Sequence, residues 1–122
     1  SADLRYNYAL LAERFGDYLF AIDEYERVLE IDPRHARTLN NLGRIYLRAQ
    51  EPRKALEHLD RCVAIDPQLA EAHLNRALAL LALDRPAEAA SALRRALERL
   101  PEGDPDRAAA QRLLAEIEEH KP

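Results

Sequence analysis

Apolar side chains recur along this chain at the three-and-four spacing of a helix rather than the alternation of a strand. Leu39, Leu42, Ile45 and Tyr46 fall at i, i+3, i+6 and i+7. The following segment carries Ala55, Leu56, Leu59 and Val63 as a second stripe. Prolines punctuate these stripes. Pro52 and Pro86 stand where a helix begins, since a missing N–H is harmless in the first turn. Pro33, Pro67 and Pro101 stand where one ends, because the residue before proline is pushed out of helical geometry. Gly16 marks a turn in which a left-handed backbone is needed. The pattern predicts helices over about 2–15, 18–31, 36–49, 52–65, 70–83, 86–99 and 105–120.

The same punctuation repeats every 34 residues. Asp32-Pro33, Asp66-Pro67 and Leu100-Pro101 are in phase, as are Ala21, Ala55 and Ala89. Tyr25, Leu59 and Leu93 keep that interval, and so do Val28, Cys62 and Ala96. Asn7, Asn41 and Asn75 do too, in a chain with only four asparagines. Three of four in one register is a repeat, not an accident of composition.

The second unit reads Leu39, Leu42-Gly43, Tyr46, Ala55, Leu59, Cys62 and Pro67. That order resembles the tetratricopeptide repeat: a large residue, Leu-Gly, Tyr, Ala, an aromatic, Ala and Pro. The first unit keeps Ala9, Ala21, Tyr25, Val28 and Pro33; the third keeps Ala77, Ala89, Leu93, Ala96 and Pro101. The resemblance covers units 2–35, 36–69 and 70–103, about 100 residues, and departs from the family at Arg5, His73 and Arg76. It implies an all-α, right-handed superhelix, an alpha-alpha solenoid of three helix-turn-helix units. Small residues Ala9, Gly43 and Ala77 are expected to face Ala21, Ala55 and Ala89, letting paired helices approach closely.

A solenoid needs capped ends. In 105–120, Ala110, Leu113, Leu114 and Ile117 form one apolar stripe, with Arg107, Gln111, Glu118 and Glu119 expected on a wet side. This segment is the expected C-terminal capping helix. No equivalent precedes Leu4, Tyr8 and Leu11, which predicts exposed apolar surface at the N-terminal face. Upstream sequence or a homo-oligomeric contact is expected to cover it. The chain contains no methionine and reads as a processed chain or a segment of a longer one.

Composition narrows the picture. With 122 residues, 48% apolar and 33% charged, the chain is expected to fold as a single domain. No apolar run approaches the roughly 18–20 residues of a membrane span. A net charge of −4 without a basic block argues against non-specific nucleic-acid binding. The lone Cys62 excludes an intrachain disulfide. The first 20 residues lack the layout of a signal peptide, so the default expectation is cytoplasmic. His35, His58, His73 and His120 show no zinc spacing, Ser1 and Ser91 have no plausible triad partners, and no glycine-rich phosphate loop occurs. Neither catalysis nor a cofactor nor a metal is expected.

The family resemblance implies that first helices line a concave groove holding a segment of a partner protein. Its expected contributors are Tyr6, Asn7 and Leu10, then Arg37, Asn41, Arg44 and Arg48, then Leu74, Asn75 and Leu78, with Arg112 closing the far end. The asparagines could form a ladder reading peptide backbone, or bond to neighbouring helices instead. Arg37, Asn41, Arg44 and Arg48 share one helical face. The arginines suit an acidic side chain, unless they pair internally with Asp3, Glu13 or Glu71. Family members that hold heat-shock-protein carboxylates use a five-residue clamp. Its positions here are Tyr6, Leu10, Asn41, Glu71 and Asn75, of which only Asn41 fits.

Overall fold

The computed structural model describes residues 1–120. Seven helices follow one another: α1 (Ala2–Arg14), α2 (Tyr18–Ile31), α3 (Ala36–Arg48), α4 (Pro52–Ile65), α5 (Ala70–Ala82), α6 (Pro86–Arg99) and α7 (Pro105–Glu119). Helices α1/α2, α3/α4 and α5/α6 pack as hairpins, and successive hairpins stack through α2 on α3 and α4 on α5. Helix α7 closes the array against α6. This is the all-α solenoid expected from the 34-residue period.

Helix starts follow local chemistry. Ser1, Asp17, His35 and Asp104 accept hydrogen bonds from the first-turn N–H groups of α1, α2, α3 and α7. Prolines occupy the first turns of α4, α6 and α7. First helices stop one residue earlier than predicted, at Arg14, Arg48 and Ala82. The same turn causes this in each unit. Gly16, Gln50 and Asp84 take φ of 78°, 60° and 57°. The next N–H then reaches back to Ala12, Tyr46 or Leu80 at 2.9 Å each.

Second-helix exits also repeat. Asp32 and Asp66 each accept, at 3.1 Å, the N–H two residues on. Leu100 breaks that pattern, and this exit is held by a donor instead, the side chain of Arg107. Its guanidinium donates to the carbonyls of Leu97 (2.6 Å) and Leu100 (2.9 Å). Arg107 is thus a tie between α6 and α7 and not part of the wet face expected for it.

Ala9, Ala21, Ala55, Ala77 and Ala89 are fully buried. At Gly43 the nearest neighbour is Leu59 and not Ala55: a Cβ there would lie 2.5 Å from Leu59 Cγ. The departures from the family pattern have found polar partners. Arg5 pairs with Glu24 at 3.2 Å, Arg76 with Asp60 at 2.6 Å, and His73 Nε2 donates to the Pro67 carbonyl at 2.7 Å.

Candidate functional site

The concave side is built from first helices, with second helices behind them. Its centre is a polar lattice around Asn41. The Asn41 amide donates to the hydroxyls of Tyr6 (3.2 Å) and Tyr25 (3.1 Å), and its carbonyl accepts from Arg44 Nη1 at 3.1 Å. Tyr25 is fully buried, and burial, followed by the nearby Glu13 carboxylate, pushes its phenol well above the usual tyrosine range. Asn75 is likewise engaged, donating to Asn40 Oδ1 at 3.0 Å. Of the three in-phase asparagines, Asn7 alone is exposed. Leu74 is buried in the core, while Leu10 and Leu78 remain open to solvent.

The arginine stripe is divided as well. Arg44 is held between two units, paired with Glu13 on α1 and with Glu71 on α5 at 3.4 Å. Its charge is balanced in place. Arg37 and Arg48 are exposed, and Arg48 Nη1 donates to the Tyr18 hydroxyl at 3.0 Å. Arg112 is exposed on α7, in the next layer beyond the third repeat.

The ends of α1 and α3 and the start of α2 enclose a cavity of about 390 Å³, lined by Leu10, Glu13, Arg14, Tyr18, Arg44, Ile45 and Arg48. Arg14 and Arg48 are 34 residues apart and occupy the same repeat position. Neither forms an ion pair among the described residues. The groove positions expected from sequence include neither Arg14, the last residue of α1, nor Tyr18, the first of α2. The Arg14/Arg48 repetition was a usable signal; Tyr18, the first residue of a second helix, offered none.

Cys62 does not belong to a site. It is fully buried, its thiol donates to the Ala36 carbonyl at 3.2 Å, and burial pushes its pKa up to about 11. Among the described residues no group of three or more His, Cys, Asp or Glu is placed to hold a metal ion, and no helix is long and apolar enough to cross a membrane.

Stacked helical hairpins with a polar concave face define a helical-repeat solenoid. Family models described as tetratricopeptide repeat match residues 1–68 and, in a second version, residues 40–104 and 74–122. The chain belongs to the tetratricopeptide repeat family. It is similar to the protein CTR9 homolog of Arabidopsis thaliana, 30% identical over 71 residues, 58% of this chain and 6% of that protein. It is also similar to the BBSome complex member bbs-4 of Caenorhabditis elegans, 36% identical over 64 residues, 52% of this chain and 14% of that protein. The chain therefore spans only a small part of these relatives. Among solved structures, the first tetratricopeptide domain of Spaghetti (RPAP3), bound to the HSP90 peptide SRMEEVD, superposes with a TM-score of 0.87. That match is 24% identical and covers 97% of this chain and 90% of the other.

Proposed function

We propose that this chain is a protein-interaction module, without catalysis of its own, that holds an extended segment of a partner protein along its concave side. An acidic side chain of that segment is taken up by the cavity at Arg14, Tyr18 and Arg48. The observation that carries this reading is the cavity itself, lined by two guanidinium groups without carboxylate partners among the described residues and by a phenol hydroxyl, while the Glu13 carboxylate in the same lining is paired with Arg44. Planar guanidinium groups bind carboxylates through charge-assisted hydrogen bonds, worth roughly 1.5–3 kcal/mol each. The similar Spaghetti domain carries a peptide, SRMEEVD, that is itself rich in acidic residues.

The other groove positions take graded roles in this proposal. Arg44 is a positioning residue, because Glu13 and Glu71 already balance its charge and hold it against Asn41. Asn7 is exposed and free to read peptide backbone, whereas both amide hydrogens of Asn41 are already engaged and Asn75 is held to Asn40. Leu10 and Leu78 supply apolar contact, and Arg37 a second positive charge. Tyr6 and Leu74 shape the groove from below, and Arg112 extends its far end.

The test is an array of short immobilised peptides that differ only in Glu against Gln content. Glu-containing peptides should retain the chain, and retention should weaken as salt rises. An Arg14→Ala/Arg48→Ala variant should lose at least about tenfold in affinity with its helical circular-dichroism signal intact. Equal retention of Glu and Gln peptides by the unaltered chain would overturn the reading.

A further inference from the structure

The third unit differs from the second at one corner, between the end of α4, the start of α5 and the face of α6. In the second unit the equivalent corner is apolar. Leu39 and Leu42 are fully buried there, and Leu29 and Ile65 pack against the cluster around Leu39. One repeat later, the positions of Leu39, Leu42 and Ile65 carry His73, Arg76 and Arg99, and that of Leu29 carries Val63. Nitrogen-bearing side chains thus stand where the preceding unit has hydrocarbon. On α6, Ser91 takes the place of Glu57, so a carboxylate is lost as cations are gained. The opposite exchange, Lys54 to Glu88, is balanced in place, because Arg85 holds the Glu88 carboxylate through bonds of 2.8 and 2.7 Å.

This corner encloses a cavity of about 400 Å³, lined in part by His73, Arg76, Glu88, Ser91 and Arg95. Ligand sites span roughly 300–1,000 Å³. The cavity lies between two interior units and shares no lining residue with the one at Arg14 and Arg48. Ser91 and Arg95 are four residues apart, on one face of α6. Neither side chain makes a hydrogen bond or ion pair among the described residues. Arg76 spends only its Nε, on Asp60 at 2.6 Å. Two buried nitrogens at this corner, His73 Nδ1 and Arg99 Nε, also have no partner among the described residues. Buried polar groups are nearly always satisfied, so this concentration of unused donors calls for a ligand.

We propose that Arg76, Ser91 and Arg95 form a binding site for a phosphate group, separate from the concave groove. A phosphate carries four oxygens in a tetrahedron and can accept from α5 and α6 together. A carboxylate, with two oxygens in a plane, engages a single guanidinium fork. The volume leaves room beyond the phosphate itself, so free phosphate and a small phosphate monoester share this chemistry. The binding also has a reporter. Arg99, Arg95 and Arg76 disfavour a proton on His73, and the nearby carboxylates, Asp60 on α4 and Glu88 on α6, are already paired. An anion among the arginines relieves that repulsion, so the His73 ring should titrate at higher pH when phosphate is bound.

Proton NMR of the histidine rings of the 122-residue chain tests the site, in titrations with inorganic phosphate, phosphoserine and acetate at constant pH and ionic strength. Phosphate should move the His73 resonances saturably and leave those of His35, the cap of α3, in place. Tighter binding of phosphoserine would mark a monoester site, and equal affinity a site for the free anion. Ser91→Glu returns the carboxylate of the second unit to an exposed position. It should weaken phosphate binding at least about tenfold with helical signal and melting unchanged. Arg95→Gln should act in the same direction. A His73 response that never saturates, one that acetate matches, or one kept by both variants would overturn the inference. None of these results involves Arg14 or Arg48, so this inference and the peptide-binding proposal can fail separately.

Discussion

Leu11 and Ile45 stand at the same position of successive repeats, yet Leu11 is 52% exposed and Ile45 3%. Nothing in their own helices accounts for the difference. Ile45 lies under the α1/α2 hairpin, whereas Leu11 belongs to the first hairpin of the described residues and faces outward from it. In a solenoid, a repeat position specifies a potential contact, and the neighbouring unit decides whether it is made. The first unit is therefore built like the second but lives in a different solvent.

Paired truncation is the sharpest way to break this comparison. Ile45→Ala removes buried methyl groups and should lower stability by about 2–5 kcal/mol. Leu11→Ala, measured in dilute solution, should stay within about 0.5 kcal/mol. Urea midpoints at constant m-value give both numbers. Equal losses would mean that Leu11 is covered in solution, and a loss for Leu11 that grows with protein concentration would identify the cover as a second copy.

The inter-helix turns offer a second comparison, with a smaller expected effect. All three take a left-handed residue, but only the first unit supplies glycine: Gly16 stands where Gln50 and Asp84 follow. A left-handed backbone is unfavourable for a residue with a Cβ, less so for Asp, whose short side chain tolerates it. Gln50→Gly should therefore raise stability by about 0.5–1 kcal/mol, once glycine's greater unfolded entropy is subtracted. Asp84→Gly should gain less. Thermal melts of the two variants test the order, and a loss at Gln50 would show that its side chain makes a compensating contact.

The helices were readable from sequence because proline, glycine and apolar spacing act locally. Even the one-residue error at three helix ends has a local origin, the left-handed turn at Gly16, Gln50 and Asp84. The groove was less readable because its side chains bond across units. The tetratricopeptide register places Asn7, Asn41 and Asn75 in one row, but Tyr6 and Tyr25 engage the second and Asn40 the third. Internal pairing of the arginines with Glu13 or Glu71 was legible as an alternative, but not that Arg44 would take both carboxylates and Arg48 neither. Periodicity located Leu4, Tyr8 and Leu11 on the open face but not Phe15, Leu19 and Phe20, which fall outside the repeating stripes. Positions that depart from the repeat are therefore the ones where the fold's regularity says least and the individual side chain most.

Arg5, Leu39 and His73 share one repeat position and show this at its subtlest. Leu39 is fully buried, Arg5 is partly exposed and pairs with the buried Glu24, and His73 is 3% exposed. The His73 Nε2–H donates to the Pro67 carbonyl, which leaves Nδ1 as a buried acceptor without a partner among the described residues. Burial lowers the pKa of His73 below the usual 6.5; the Pro67 hydrogen bond opposes that shift, and Arg99, Arg95 and Arg76 add to it. With the folded value below the unfolded one, the unfolded chain takes up the proton first as pH falls. The contribution of His73 is then complete above the unfolded value and is lost progressively below it, towards the lowered folded value. Denaturation midpoints at about pH 7.5 and about pH 5 should therefore differ less for His73→Leu than for the unaltered chain. If the two proteins lose the same stability over that interval, His73 takes up its proton as readily in the folded chain as in the unfolded one, and burial does not hold it neutral.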